Sequence, residues 1–384
     1  MQTVYLDYNA TTPLDPAVRE AMLPYLGEIY GNPSSIHHVG RRARALLDDA
    51  RDRVARVWAC KPSEVVFTSG GTESSNLAIF GAARLLRARG RHIITSAVEH
   101  HAVLHPCAYL AKREGFEVTY LPVDDTGRVR VESLASAIRP DTTLVSVMAA
   151  NNETGTIQPV VELGQLCRAR GVLFHTDAVQ WFGKEPFHDI HQFNADLVSA
   201  CAHKFFGPKG AGALFIRSPL LPDPIVFGGG HENERRAGTE NLAGIIGLTE
   251  ALERFVKTPV FAAASLPPLA GRLHALVEQL GPQGVVFRGS RTHRLANTVA
   301  FSVRNADSIT LLAGLDLEGV CASSGSACSA GSLEPSHVLL ALGVERDAAN
   351  SLVRFSLGPE TSLEEVDHVE RVLPKVIARA QQFK

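Results

Sequence analysis

The chain has 384 residues, 45% of them hydrophobic, and its 38 Lys and Arg nearly balance 40 Asp and Glu for a formal charge of −2. That balance points away from nucleic acid and from an anionic membrane surface, and toward a small or locally recognised partner. No run reaches the ~18 apolar residues that span a bilayer, and the opening "MQTVYLDYNATTP" lacks a secretory signal's basic and apolar regions, so a cytoplasmic protein is expected.

From residue 65 to 217 short β-rich runs alternate with helical stretches. In chain order the predicted strands are "EVVFTS", "RHIITS", "FEVTYLPV", "TTLVSVMA", "GVLFHT", "DLVSAC" and "GALFIRS". Amphipathic "NLAIFGAARLLRARG" and "VVELGQLCRARG" separate several of them, with Gly90 and Gly171 expected as C-caps after basic last turns. Such alternation predicts an α/β fold with a mostly parallel sheet covered on both faces. Around 255–267 "VKTPVFAAASLPPLAG" carries three prolines and marks an expected boundary. A smaller α/β region follows, with strand-like "NTVAFSV", "GVCASS" and "LVRFSLG" and helical "SITLLAGLDLEG", "PSHVLLALG" and "SLEEVDHVERVLPKVIARAQQF". The six cysteines have no CxxC spacing, and a chain this long needs no disulfides, so reduced thiols are predicted.

Ligands of such sheets bind beyond the carboxyl ends of the strands. The segments at those ends are polar and reactive here: "TSGGTESSN", "AVEHHAVLH", "NNETG", "DAVQ" and "HKFFGPKG". The glycines of the first, Gly71 among them, stand at a helix start suited to a phosphate, although a plain tight turn would read the same. Asp177 fits either a helix N-cap or the partner of a pyridinium nitrogen, which a carboxylate keeps protonated. Lys204, beside His203 at a buried strand end, suits a Schiff-base lysine with a lowered pKa; alone it would read as a turn residue. His101 and His105 stand i, i+4 and raise a metal alternative, but the HExxH pattern is missing and no third ligand follows, so no metal is predicted. His100 at the same strand end can stack on a flat cofactor. In "CASSGSACSAGSLEPSH", Cys328 sits among small residues that make a poor core and a good mobile arm, whereas Cys321 reads as structural.

Together these motifs, with "YLDYNATTPLDP", "GNPSS", "RRAGTEN" and "RFSLG", resemble the cysteine desulfurases of the nitrogen-fixation and iron–sulfur-cluster type, within the class V aminotransferases. The resemblance runs in order over nearly the whole chain. It implies an aminotransferase-like fold (fold type I) with a seven-stranded sheet. A large domain would span 15–257, and 1–14 with 258–384 would form a small domain carrying the mobile cysteine loop. It further implies pyridoxal 5′-phosphate as cofactor and a homodimer. Residue by residue, Lys204 would carry the cofactor, Asp177 meet its ring nitrogen, Gln180 its phenolic oxygen, and His100 its face. Thr72 and His203 would hold the phosphate, joined by Thr239 from the second subunit; Asn152 and Arg354 would bind the substrate carboxylate. Cys328 would take sulfur from L-cysteine as a persulfide, leave L-alanine, and pass the sulfur to an acceptor protein such as an iron–sulfur scaffold. Cys201 departs from the family's usual serine, and its weaker donor implies looser phosphate binding. The rival readings are an aminotransferase or another lyase on the same cofactor, selenocysteine lyase included, and a non-catalytic cofactor-binding protein.

Overall fold

The structure, a computed structural model, describes residues 3–325 and 334–382. Its strands are β1 (Val4–Tyr5), β2 (Val65–Thr68), β3 (His92–Ser96), β4 (Glu117–Leu121), β5 (Thr142–Ser146), β6 (Leu173–Asp177), β7 (Leu197–Cys201), β8 (Gly212–Ile216), β9 (Val285–Arg288), β10 (Thr298–Val303), β11 (Val320–Cys321) and β12 (Val353–Ser356). The seven runs predicted between residues 65 and 217 become β2 to β8 of one sheet, ordered β2-β8-β7-β6-β5-β3-β4. Neighbours pair in parallel except around β8, which runs against both β2 and β7. β2, β3 and β5 to β8 are buried along their whole lengths or nearly so. That explains why they read as continuous apolar runs rather than alternating ones.

Both faces of this sheet are covered. Val65, Phe67, Ile94, Val145, Phe174 and Val198 pack into one core with helices His38–Trp58, Val160–Ala169 and Leu242–Phe255. Val66, Ile93, Leu144, Leu197 and Leu214 pack on the other side with Gly71–Leu86 and His101–Glu114. A further core gathers Val4, Leu6, Tyr8 and Phe206 with Phe261, Leu273, Phe301, Leu315, Phe355 and Leu373. It lies between the antiparallel sheet β12-β10-β9 and helices Leu266–Gln279, Ser308–Leu317 and Leu363–Ala380. β1 pairs in parallel with β11, and Asp7 bridges to Ser356, so the first residues are drawn to the far end of the chain.

Three local expectations are corrected. Gly171 is the left-handed residue after its helix (φ 63°), but Gly90 is not a left-handed C-cap: the helix ends at Leu86 with Arg87 as C-cap, and the Gly90 amide bonds the Leu86 carbonyl at 3.2 Å. A Cβ at Gly90 would stand 2.2 Å from the Asp141 carbonyl oxygen, so this glycine serves a close backbone approach. The proline-rich stretch is partly helix, because Pro267 and Pro268 occupy the first turn of Leu266–Gln279, where no backbone N–H is needed. "GVCASS" shortens to the two residues of β11. The 21-residue helix His38–Trp58 lies beyond the predicted elements. Among the described residues no single helix is long and apolar enough to cross a membrane.

Candidate active site

The carboxyl ends of β2, β3, β5, β6 and β7 open on one cavity of about 280 Å³. Ten sequence-predicted residues line it: Gly71, Thr72, His100, Asn152, Asp177, Gln180, Cys201, His203, Lys204 and Arg354. All but Arg354 meet because the parallel strands deliver their following loops to one edge, and Arg354 reaches the same cavity from β12 of the antiparallel sheet.

Lys204 closes the short turn after β7. Its Nζ donates to the carbonyls of Asn9 at 2.9 Å and Ala10 at 2.7 Å. Burial brings its pKa from 10.5 down to about 8, with the Arg354 charge adding to the effect and Asp7 and Asp177 opposing it. Asp177 ends β6, buried, and accepts from the Val179 amide at 3.0 Å and more weakly from Ser75 Oγ at 3.5 Å. Burial raises its carboxyl to about 6. It is therefore a buried acid with few donors of its own, the electrostatic condition that a cation would relieve.

His100 is the N-cap of helix His101–Glu114 and accepts from the Ala102 amide at Nδ1, 3.0 Å, which leaves the ring proton on Nε2. Burial, with the charge of Lys204 next, lowers its pKa to about 4, so the ring is neutral. His101 and His105 stack with centroids 4.7 Å apart, and His337 stands 4.9 Å from His101. Among the described residues no group of three or more His, Cys, Asp or Glu is placed to hold a metal ion.

Gly71 opens the helix after β2 and Gly70 (φ 153°) makes the turn into it, so the first-turn amides point out of the helix toward the cavity side that Thr72 lines. His203 is held through Nδ1 by Thr11 Oγ1 at 3.1 Å, and burial lowers its pKa to about 4. Cys201 is buried against this turn, where its sulfur receives the backbone N–H groups of Gly71 and His203; burial raises its thiol. On the opposite wall Arg354 rises from β12, 1% exposed. Its guanidinium donates to Asn152 O at 2.6 Å, Gly325 O at 2.7 Å and Asp7 Oδ1 at 2.7 Å, while its buried Nε has no partner among the described residues.

Two expected residues do not join this group. Thr239 lines a separate hollow of about 160 Å³ with Phe67, Ser69, Gly210 and Arg236. Its segment is tied to the back of the sheet by Glu232, which takes two bonds from Arg51 and one from the Phe67 amide, and by Arg236 on Glu73. Cys328 lies outside the described residues. Cys321 sits in β11, half-buried, with its thiol raised by burial.

Sequence reasoning passed over Asp7, Asn9 and Ala10, which hold Arg354 and Lys204, and Lys184, buried behind Gln180. Only the polar run "LDYNATT" hinted at the first three; nothing local marked Lys184.

Comparison with known proteins agrees with this arrangement. The class-V aminotransferase family model matches residues 4–369. A protein named cysteine desulfurase IscS from Dictyoglomus turgidum is 48% identical over 376 residues, covering 98% of this chain and 95% of the relative. Among solved structures, a NifS-like protein superposes with a TM-score of 0.87 at 38% identity and 100% coverage of both chains. SspA in complex with cysteine superposes with a TM-score of 0.81 at 34% identity, covering 94% of this chain and 100% of that one. A family match over most of the chain, a strand order that collects these loops, and near full-length identity to such relatives lead to one conclusion: the chain belongs to the class-V aminotransferase family.

Proposed function

We propose that this chain is a cysteine desulfurase, which takes sulfur from L-cysteine, leaves L-alanine, and carries the sulfur as a persulfide for an acceptor protein. The observation that carries the reading is the meeting of an amine-donating Lys204, a buried Asp177 and the Arg354 guanidinium in one cavity.

Pyridoxal 5′-phosphate fits the residues present. Asp177 is a buried carboxylate wanting a cation, as a pyridinium provides, and Lys204 is an amine brought within reach of neutrality. The helix that opens at Gly71 starts beside Thr72 and His203, the kind of helix N-terminus that suits a phosphate. A Cβ at Gly71 would stand 2.7 Å from Val179 Cγ2, so the turn keeps its backbone close to the wall. Asp177 would hold the ring nitrogen, Gln180 the phenolic oxygen, His100 the ring face, and Lys204 the aldehyde carbon. When bound, the cofactor supplies an electron sink that makes the substrate Cα–H acidic and its sulfur transferable.

The chain's own residues do the rest. Arg354, with Asn152 beside it, takes the substrate carboxylate and fixes the amino acid against the Lys204 wall. Lys204, titrating near 8, takes the Cα proton. His100 stays neutral with its proton on Nε2. The Cys328 thiolate attacks the substrate sulfur: the Cβ–S bond breaks, an S–S bond forms on Cys328, and a proton returns to Cβ to complete alanine. Two thiols supply every atom and electron, so no outside oxidant enters.

The working unit we propose is a homodimer, placed in the cytoplasm by the sequence expectation alone, and two features support the dimer. Thr239 sits outside the cavity of its own chain, and Tyr30, Ile36 and Phe227 are 79%, 89% and 81% exposed. The test of the function is to incubate the protein with pyridoxal 5′-phosphate and L-cysteine, quantify alanine, and locate the persulfide by mass spectrometry. One alanine per sulfur, with the persulfide on Cys328, is expected. Normal turnover by Cys328→Ala, or a persulfide on Cys201 or Cys321, overturns the mechanism.

A further inference from the structure

Lys184 lies one turn beyond Gln180, in "DAVQWFGK", and is 3% exposed. Among the described residues its amine has no carboxylate as a hydrogen-bond partner: Nζ donates to Asn9 Oδ1 at 2.5 Å and to Gln180 Oε1 in a still shorter contact, and burial holds its pKa well below the usual lysine value. The amine also stands over the Phe261 ring, 5.4 Å from its centroid. A lysine buried on amide oxygens alone is expensive to keep, so its retention beside the cavity calls for a reason.

The hydrogen bonds supply one. Gln180 Nε2 donates to the Asn9 carbonyl at 2.9 Å, and that carbonyl also receives Lys204 Nζ. A backbone carbonyl only accepts, so the amide nitrogen must face it and Oε1 must face Lys184. Lys184 and the Asn9 carbonyl thereby clamp the Gln180 amide from its two sides, with the second N–H of Nε2 left for the cavity and the oxygen drawn behind. If Lys184 is removed, Asn9 Oδ1 keeps a donor in Asn297 Nδ2 at 3.2 Å, and Asn9 Nδ2 keeps Thr298 Oγ1 at 2.9 Å. Gln180 Oε1 keeps none. The loss therefore falls on Gln180, whose amide is then anchored on one side only, by the Asn9 carbonyl.

We propose that Lys184 is a positioning residue that acts through Gln180: by holding Oε1 it makes the Gln180 side chain a fixed hydrogen-bond donor toward an anionic oxygen of the bound ligand. This rests on the reading of the cavity as a pyridoxal phosphate site, in which that oxygen is the cofactor's phenolic one. Without Lys184 the amide loses one of its two anchors and no longer holds a fixed donor against that oxygen, and an unpaired buried oxygen adds to the cost. Because Lys184 does not itself line the cavity and reaches it through Gln180 and Asn9, its influence must be read in the presence and the absence of Gln180.

The experiment is a double-mutant cycle on cofactor affinity. The dissociation constant of pyridoxal 5′-phosphate is measured by equilibrium dialysis for the unaltered protein, Lys184→Met, Gln180→Ala and the double variant. Lys184→Met, nearly equal in volume, should weaken binding about tenfold or more in the unaltered background, the size of a lost hydrogen bond to a charged group. It should change affinity less than about twofold once Gln180 is Ala. Equal losses in both backgrounds assign Lys184 to packing and overturn the proposal, as does no loss in either. If Lys184→Met does not fold, Lys184→Leu, which also lacks the donor, is read by the same cycle and the same criterion. Failure of the unaltered protein to bind pyridoxal 5′-phosphate sinks the cofactor reading itself, whereas binding with additive losses sinks only the role of Lys184.

Discussion

Lys204 shows how little of a catalytic amine's behaviour belongs to the residue alone. A solvated lysine is charged until pH 10.5, but removal from water brings this one to about 8. Only the neutral amine attacks an aldehyde, so the rate of cofactor capture should rise with pH through about 8 and level off above it. A stopped-flow pH profile rising through 10.5 instead would mean that the amine is solvated. The same shift has a stability consequence: between about 8 and 10.5 the unfolded chain holds the proton that the folded chain has lost, so this group's contribution to stability rises with pH across that window. Asp177→Asn keeps the shape of a buried acid and removes its charge. It should lower turnover by at least about a hundredfold, as when one aimed charge is lost from a dry site, with little change in melting temperature. An equal turnover would show that Asp177 is only a cap. Both residues were legible in the sequence because each ends an apolar strand. Asn9 and Ala10 were not, because they act through backbone carbonyls, and any residue type carries one.

At the level of elements, the turn between β2 and its helix is the most constrained part of the site. Gly70 adopts φ 153°, and a Cβ on Gly212 in β8 would meet Gly70 Cα at 2.6 Å and the Ala200 carbonyl oxygen at 2.9 Å. Backbone meets backbone there, with no flexible side chain to yield. Gly212→Ala should therefore cost about 1–3 kcal/mol in urea unfolding and loosen the first-turn amides, with weaker phosphate binding. An unchanged midpoint would show that the two segments can part freely. The segment carrying Thr239 hangs on Glu232, whose carboxylate takes Arg51 from two nitrogens at 2.8 and 2.6 Å and the Phe67 amide at 2.9 Å. Glu232, Asn233 and Glu234 all have positive φ, so tertiary bonds rather than local preference hold this stretch. Glu232→Ala strands a buried guanidinium and should destabilise by about 3–5 kcal/mol, read by the same urea titration. A loss under about 1 kcal/mol would place this pair with exposed ones. Strands β2 to β8 could be read from sequence because burial on both faces gives them uninterrupted apolar runs. Gly90 misled because a glycine after basic residues looks the same whether it caps a helix or makes room for the Asp141 carbonyl.

For the whole molecule, we propose two units, 15–257 and 1–14 with 258–384, on the ground that Val18 to Val256 supply one core and Val4 to Tyr8 with Phe261 to Ala380 another, which Phe206 of the first unit joins. The N-terminal strand joins them, since β1 adds to β11 while residues 9–10 reach Lys204. Deleting residues 1–12 should therefore abolish cofactor capture as well as destabilise the C-terminal unit, which fluorescence and cofactor titration would separate. If the proposed dimer shares its sites, mixing Lys204→Ala subunits with Thr239→Ala subunits should restore part of the activity through hybrid sites. No recovery despite subunit exchange seen by mass spectrometry would confine each site to one chain.

Local patterns in the chain carry the chemistry available and the edge on which it gathers. Strand runs and the polar residues that end them are local patterns, and in a parallel sheet every such end faces the same way. Packing between distant segments sets which of those groups touch and in what protonation state. Lys204 near 8, Asp177 near 6 and His100 near 4 are products of burial, which depends on the packing of segments hundreds of residues apart. Lys184 is the extreme case: in the sequence it is one more lysine after a glycine, and only the fold seals it from water against two amide oxygens.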